Sequence, residues 1–377
     1  MIDDAHLSHG LAGDQQAPDW PPLTGGELAN LLDGYPGLDA PRVIRWHSPR
    51  PLSAAARVVT AGGEVFVKRH HRSVRDAPTL AEEHRFGAHL RERGLPVPRV
   101  LLDGEGRSAI GRGDWVYEVH DTARGEDLYR DAFSWSPVGG TAHAFTAGAM
   151  LARLHRAARD YDAPQRRTHI LVARAEVLSA VDPIAEIDGQ LAERPALAAY
   201  LGERDWRGEV AAALAPWQAR AAAGAARQPR AWTHGDWHVS NLCWSGAGEE
   251  ARITDVLDLG LSALTFSLFD LATAIERNAI AWLATERNDI ARPDLVLALL
   301  AGYRSVCPLD GADLAVLADV LPVVHVDFAL SEVEYFTGIT RRRDHADVAY
   351  HTFLLGHARW FTGAEGRALL STLRHAS

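Results

Sequence analysis

The spacing of apolar positions changes character along the chain. In "VIRWHSPRPLSAAARVVTAGGEVFVKRH" (43 to 70) β-type runs predict two or three strands, with "AGG" (61 to 63) as a hairpin turn. "APTLAEEHRFGAHLRERG" (77 to 94) spaces Leu80, Phe86 and Leu90 near the helical period, predicting a helix that starts after Pro78 and stops at Gly94. "VPRVLLDGEGRSAIGRGDWVYEVHD" (97 to 121) then reads as two strands around a glycine-rich turn. From "TAHAFTAGAMLARLHRAARD" (141 to 160) onward the pattern is mostly helical. Ahead of the strands, "GGELANLLDGYPG" (25 to 37) predicts one short helix ended by Gly34 and Pro36, preceded by a polar leader over residues 1 to 22. The expected fold class is α+β and bilobal. A leader and short helix (1–40) precede a small lobe built on an antiparallel sheet with one helix (41–120), followed by a larger, mostly α-helical lobe (121–377).

Composition narrows the function classes. With 377 residues and 47% hydrophobic content, the chain can bury a large core. A formal net charge of -10 argues against a nucleic-acid partner, which would call for a basic face. Two cysteines, Cys243 and Cys307, are too few for a disulfide framework, and the expected setting is a reducing cytoplasm. "MIDDAHLSHG" has no apolar centre of the kind a signal peptide needs, and no uncharged apolar run is long enough to predict a membrane span. Lys68, in "EVFVKRHHR", is the only lysine among 39 basic residues. A lysine kept in so arginine-rich a chain suits a compact point charge on a phosphate, where a planar guanidinium fits less well.

The large lobe's helical pattern is interrupted once, by "WTHGDWHVSNLCWSGAGEEARITDVLDLG" (232 to 260). His234, Gly235 and Asp236 fall in a loop there, and Asn241 follows five residues after Asp236. The runs "LCW" and "ARITDVLDL", joined by "SGAGEE", predict a hairpin that returns Asp258 to the neighbourhood of Asn241. Two carboxylates and an amide oxygen around one space suit Mg2+, which takes oxygen ligands and completes its shell with waters and phosphates. Phosphoryl transfer asks a protein for little more: a carboxylate facing a hydroxyl, a metal pair of Asn and Asp, and a cation on the phosphates. Asp236, Asn241, Asp258 and Lys68 supply those parts in that order of roles. An acid on the helix after Lys68, Glu83 or Glu82, is expected to pair with the lysine.

These stretches, with "EEHRFGAHLRERGLPVPRVL", "LARLHRAA" (151 to 158) and "FDLATAIE" (269 to 276), resemble the aminoglycoside phosphotransferase family of small-molecule kinases, which shares the protein-kinase-like fold. The glycine of "HGDWHVSN" is similar to that family, whereas protein kinases carry arginine there. The resemblance spans roughly residues 45 to 280. It implies ATP and Mg2+ as cofactors, a small-molecule hydroxyl as acceptor and Asp236 as the base. It places the helix glutamate on Glu83 rather than Glu82, and makes Asp270 a buried brace of the catalytic loop, which His234 also supports. It also implies that the backbone near Glu118 to His120 forms the hinge between the lobes that receives adenine. Two departures stand out. Leu259 replaces a common aromatic, and the loop over the phosphates, "HSPRPLSAA", has no glycine, leaving Ser48 and Ser53 as its candidate phosphate donors.

Other signals carry less. Glycines 104, 106, 111 and 113 are flanked by expected strands, which favours a hairpin turn over a dinucleotide fingerprint. His70, His71, His84 and His89 lack a tight ligand pair and read as solvated surface. His238 could touch substrate or brace its own loop. In "HVDFALSEVEYF", Asp327, Glu332, Glu334 and Tyr335 are candidate substrate contacts that could receive the amine of a cationic alcohol, with a solvated helix face as the alternative. The competing function classes are a catalytically inactive nucleotide-binding module and a protein kinase. The first should lack one of the four key residues, and the second should carry an activation segment ending in "APE" after "LDLG"; neither condition is met.

Overall fold

The computed structural model describes residues 18–40, 42–48, 50–130, 132, 135–284 and 289–376, so the leader over residues 1–17 lies outside the described residues. Helix α1 (Gly25–Leu32) is capped by Thr24 and Glu27. Strands β1 (Val43–His47), β2 (Ala54–Thr60) and β3 (Gly63–His71) follow as a meander. Helix α2 (Ala77–Glu92) separates them from β4 (Ile110–Arg112) and β5 (Trp115–Asp121). The five strands pair antiparallel in the order β1-β2-β3-β5-β4.

Three boundaries differ from the sequence expectation, each for a local reason. Helix α1 belongs to the small lobe: Leu28, Leu31 and Leu32 form one apolar stripe packed in a core with Val58, Val67 and Val119 of the sheet. Helix α2 begins at Ala77 rather than after Pro78, since a proline in the first turn costs no hydrogen bond and Asp76 caps the Thr79 N–H at 2.8 Å. The segment starting at Val97 is extended but forms no strand. Pro96 and Pro98 offer no N–H to a ladder, and only the Val100–His120 bridge forms, so the hairpin is the shorter β4–β5 pair.

The large lobe opens with α3 (Thr141–Ala158), packed along the helix Pro293–Arg304. Four short strands, β6 (Ala231–Thr233), β7 (Leu242–Trp244), β8 (Ile253–Val256) and β9 (Ala263–Thr265), pair as β6 with β9 and β7 with β8. They carry the loops of "HGDWHVSN" and "LDLG" to the face that meets the small lobe. Among the described residues one helical stretch, Gly311–Gly338, is long and apolar enough to cross a membrane, and 89% of its most hydrophobic window is buried within the protein, as in a core helix. This is the bilobal protein-kinase-like architecture, with an antiparallel sheet lobe above a helical one.

Candidate active site

The loop between β6 and β7 is held from below. Asp270, in the first turn of the helix Ser267–Ala279, is fully buried and accepts the backbone N–H groups of His234 (2.8 Å) and Gly235 (2.9 Å). Burial opposes its ionisation, but the hydrogen bond and charge of His155, 3.0 Å away, outweigh this and hold its pKa below the ordinary value. Gly235 takes φ +80°, and a Cβ there would stand 2.6 Å from both Ala173 Cβ and Leu261 O, so the position admits only glycine. The buried His234 ring accepts the Asp236 N–H at Nδ1 (3.2 Å) and places Nε2 3.0 Å from Leu257 O, joining this loop to the chain after β8.

Asp236 points toward the cleft between the lobes. Its Oδ2 accepts from Asn241 Nδ2 at 3.0 Å, and its Oδ1 is bound by the guanidinium of Arg277. The β7–β8 hairpin brings Leu257 N to Asn241 O at 2.8 Å, which sets Asp258 beside that amide. Asp258 adopts φ 52°, a left-handed conformation tolerated by aspartate, and its Oδ1 lies 3.0 Å from Lys68 Nζ of β3. Burial opposes the charge on each partner. For Lys68 the nearby Asp258, Glu118 and Glu83 prevail and raise its pKa. For Asp258 the lysine charge and hydrogen bond prevail and lower its pKa. Lys68, Asp236, Asn241 and Asp258 thus share one cleft.

The expected pairing of Lys68 with Glu83 is not formed. Glu83 Oε2 accepts from Arg166 Nη2 (3.3 Å), with Arg75 Nε at 4.0 Å, while Glu82 binds Arg166 (3.1 Å) and Arg167 (2.9 Å). Arg166 is buried, so its donors must be satisfied on site, and they commit both acids of α2. Glu118 and His120 also differ from expectation, because they sit within β5 rather than at a link between the lobes. The β5 backbone pairs with β3 on one side, and on the other Leu101 N donates to Val119 O (2.7 Å) and Asp121 N to Arg99 O (2.9 Å). The link between the lobes follows Asp121. Ser48 Oγ accepts the Arg50 N–H (3.2 Å) and shapes the β1–β2 turn, and Ser53 directly precedes β2. The same loop carries Arg50 into the cleft, where burial lowers its pKa against the opposing charges of Asp127, Asp236 and Asp258.

A family model described as the phosphotransferase enzyme family matches residues 52–309. The chain belongs to this phosphotransferase family. A homoserine kinase of Burkholderia ambifaria (strain MC40-6) is 29% identical over 253 residues, covering 62% of this chain and 63% of that protein. Another, from Polaromonas naphthalenivorans (strain CJ2), is 26% identical over 230 residues, covering 61% and 62%. The chain therefore spans a little under two thirds of the curated relatives it matches. Among solved structures, a microcompartment-associated aminopropanol kinase superposes with a TM-score of 0.57 at 14% identity, covering 93% of this chain and 99% of that one. An amicoumacin kinase in complex with AMP-PNP, Ca2+ and Ami gives 0.56 at 14%, covering 86% and 92%. At such identities the likeness is one of fold.

The four candidates of the helix Val326–Gly338 separate. Asp327 accepts the N–H groups of Val177 (3.0 Å) and Leu178 (3.1 Å) and is a structural cap. Glu334 is bound by Arg194 Nε at 2.6 Å, and the Tyr335 hydroxyl donates to Asp19 at 2.8 Å. None of these three is free for substrate, because the helix turns them into the packed interior. Glu332 alone faces a cavity, lined also by Trp135, Trp282, Phe336, Phe353 and His357. Its carboxylate accepts no hydrogen bond from any described residue, and burial pushes its pKa up to about 8. His238 braces its loop, with Nδ1 2.7 Å from Ser240 Oγ; burial pushes its pKa down to about 3. Arg50, Arg277 and Trp135 were absent from the sequence reading. Arg277 had a usable signal, since it lies seven residues after Asp270 on the same helix and so on the same face.

Proposed function

We propose that the protein transfers the γ-phosphate of ATP to a hydroxyl of a small molecule that also bears an amine. The observation that carries this reading is the convergence of Lys68 and Asp258, 190 positions apart and in different lobes, beside Asp236 and Asn241. In the proposed step Asp236 accepts the proton of the acceptor hydroxyl as that oxygen bonds to the γ-phosphorus, while the bond to the ADP oxygen breaks. Arg277 and Asn241 fix the carboxylate's orientation, which is most of what phosphoryl transfer asks of a protein. Lys68 exchanges Asp258 for the α and β phosphates, and Arg50 adds charge at the cleft entrance. The Asn241 side-chain oxygen and Asp258 Oδ2 accept no hydrogen bond among the described residues, a pair of oxygens that fits Mg2+. Held there, Mg2+ would neutralise charge on the phosphates.

The acceptor's amine is inferred from Glu332. The carboxylate and its aromatic walls suit a cation, and Arg277 links this cavity to Asp236 by stacking 3.8 Å over Trp135. The cavity has about 20 Å³ of room for the centre of a water-sized group. Roughly 10–15 Å³ holds one water, so the space matches a primary ammonium rather than a trimethylated one.

The test is phosphate transfer from labelled ATP to a panel of amino alcohols, amino acids, aminoglycosides and sugars, with a thermal-shift screen beside it. Transfer to a primary amino alcohol or hydroxy amino acid is expected. Mg-ATP binding without transfer to any acceptor would instead mark a nucleotide-binding module, and label on protein a protein kinase.

A further inference from the structure

The histidines of "KRHH" and α2 do not lie on solvated surface as the sequence suggested. Alternation along the strands puts Lys68 and His70 on one face of β3, and Glu118 and His120 on the same face of β5, with Lys68 directly opposite Glu118. Helix α2 lays His84 over them. Glu118 is buried, and three rings meet it: His70 Nε2 at 2.9 Å from Oε1, with His84 Nε2 at 2.7 Å and His120 Nε2 at 2.8 Å from Oε2. The ligand atoms of His84, Glu118 and His120 all lie within 4.8 Å of one another.

We infer that His84, His120 and Glu118 form a binding site for a divalent transition metal, with Zn2+ as its type, behind the nucleotide cleft. Zinc–nitrogen and zinc–oxygen bonds of about 2.0–2.2 Å put neighbouring ligand atoms around a tetrahedral ion roughly 3.3 Å apart, so the two ring nitrogens, now 2.7 and 2.8 Å from Glu118 Oε2, need only draw back slightly to admit the ion. Outer contacts that would hold such ligands are in place. His84 Nδ1 lies 2.9 Å from Ser108 Oγ, and His70 engages the carboxylate oxygen that the other two rings leave. On binding, each ligating ring offers the Nε2 lone pair and keeps its proton at Nδ1, directed in His84 to Ser108 Oγ. His120, with 22% of its side chain exposed, gives the ion an entry path and room for a water as fourth ligand. Imidazole nitrogens select this class of metal, whereas the all-oxygen pair Asn241 and Asp258 selects Mg2+, so the two sites sort their ions by ligand type. The inference is independent of the acceptor's identity.

The experiment is Zn2+ titration of the tag-free, metal-stripped full chain, with X-ray absorption at the zinc edge and the visible spectrum of the Co2+ form. One ion per chain, bound by two imidazoles and a carboxylate, is expected. His84→Ala and His120→Ala should each weaken binding by more than tenfold, while His357→Ala, in the separate Glu276, His325 and His357 cluster, leaves it intact. The site is ruled out by the absence of stoichiometric binding, or by binding that survives both small-lobe variants and is lost in His357→Ala. Should the alanine variants fail to fold, Ser108→Ala decides. Removing an outer contact typically costs about 10–100-fold in affinity, and an unchanged Zn2+ affinity would overturn the assignment.

Discussion

Lys68 Nζ of the small lobe rests 3.0 Å from Asp258 Oδ1 of the large lobe, while Glu83, the acid expected beside it, is held by Arg166 and Arg75. The lysine is therefore parked on the residue proposed to bind metal, and in the proposed reaction nucleotide takes it over. Lys68→Met should raise the KM for ATP by roughly ten- to a hundredfold, the equivalent of one charge-assisted contact of about 1.5–3 kcal/mol. Lys68→Arg keeps the charge but not its compact shape and should also be impaired. Full activity of Lys68→Arg at low ATP would show that the lone lysine has no special task.

Asp236→Asn removes the proposed base but keeps the shape of the loop. Turnover should fall by about 10² to 10⁴, with ATP binding by calorimetry unchanged. Normal turnover would remove Asp236 from the mechanism.

Arg277 is 4% exposed at its side chain and is bound to Asp236 while stacked on Trp135. Arg277→Met takes the guanidinium from Asp236 Oδ1 while the Asn241 amide stays on Oδ2, and breaking a buried pair from one side costs on the order of 3–5 kcal/mol. Urea unfolding should show that loss, and the double variant Arg277→Met with Asp236→Asn should recover part of it. With Asp236→Asn measured alone to complete the cycle, losses that simply add in the double variant would mean that the two side chains are not energetically coupled.

Glu332, whose pKa burial lifts to about 8, holds a proton in the folded state that an unfolded glutamate releases near its ordinary value. Between those two values the native protein binds more protons than the unfolded chain, so this group subtracts stability as pH rises. Glu332→Gln should therefore lose less stability than the wild type between pH 5 and pH 9, by a few kcal/mol. With an amine-bearing acceptor the wild-type KM should fall as pH rises toward 8 and the carboxylate forms. Parallel stability curves for the two proteins would contradict the buried, unpartnered carboxylate.

Much of the candidate site was legible because its signals are local. The four residues between Asp236 and Asn241 and the turn residues before β8 fix a loop and a hairpin by backbone geometry alone, and these bring Asp258 home. The partners of Glu83 were not legible, since Arg166 lies 83 positions away and only tertiary packing makes its guanidinium buried and in need of acceptors. The same holds for the histidines around Glu118, which pattern alone could not tell from surface residues. On the helix Val326–Gly338, Asp327 and Glu334 are seven residues apart and share a face, whereas Glu332 points elsewhere. Periodicity could separate them, but not say which side fronts the cavity.

The bond from Tyr335 to Asp19 has a practical consequence. Asp19 N also donates to Pro51 O at 3.1 Å and Trp20 Nε1 to Leu52 O at 3.2 Å. The few residues ahead of α1 thus lash the β1–β2 loop of one lobe to a core helix of the other, like a stay between mast and deck. A fusion tag or protease cut just before Asp19 is then no neutral laboratory convenience. It would place new charge or bulk against the contacts that hold the loop carrying Arg50, and kinetic constants measured on such a preparation would report on an altered version of the proposed nucleotide cleft.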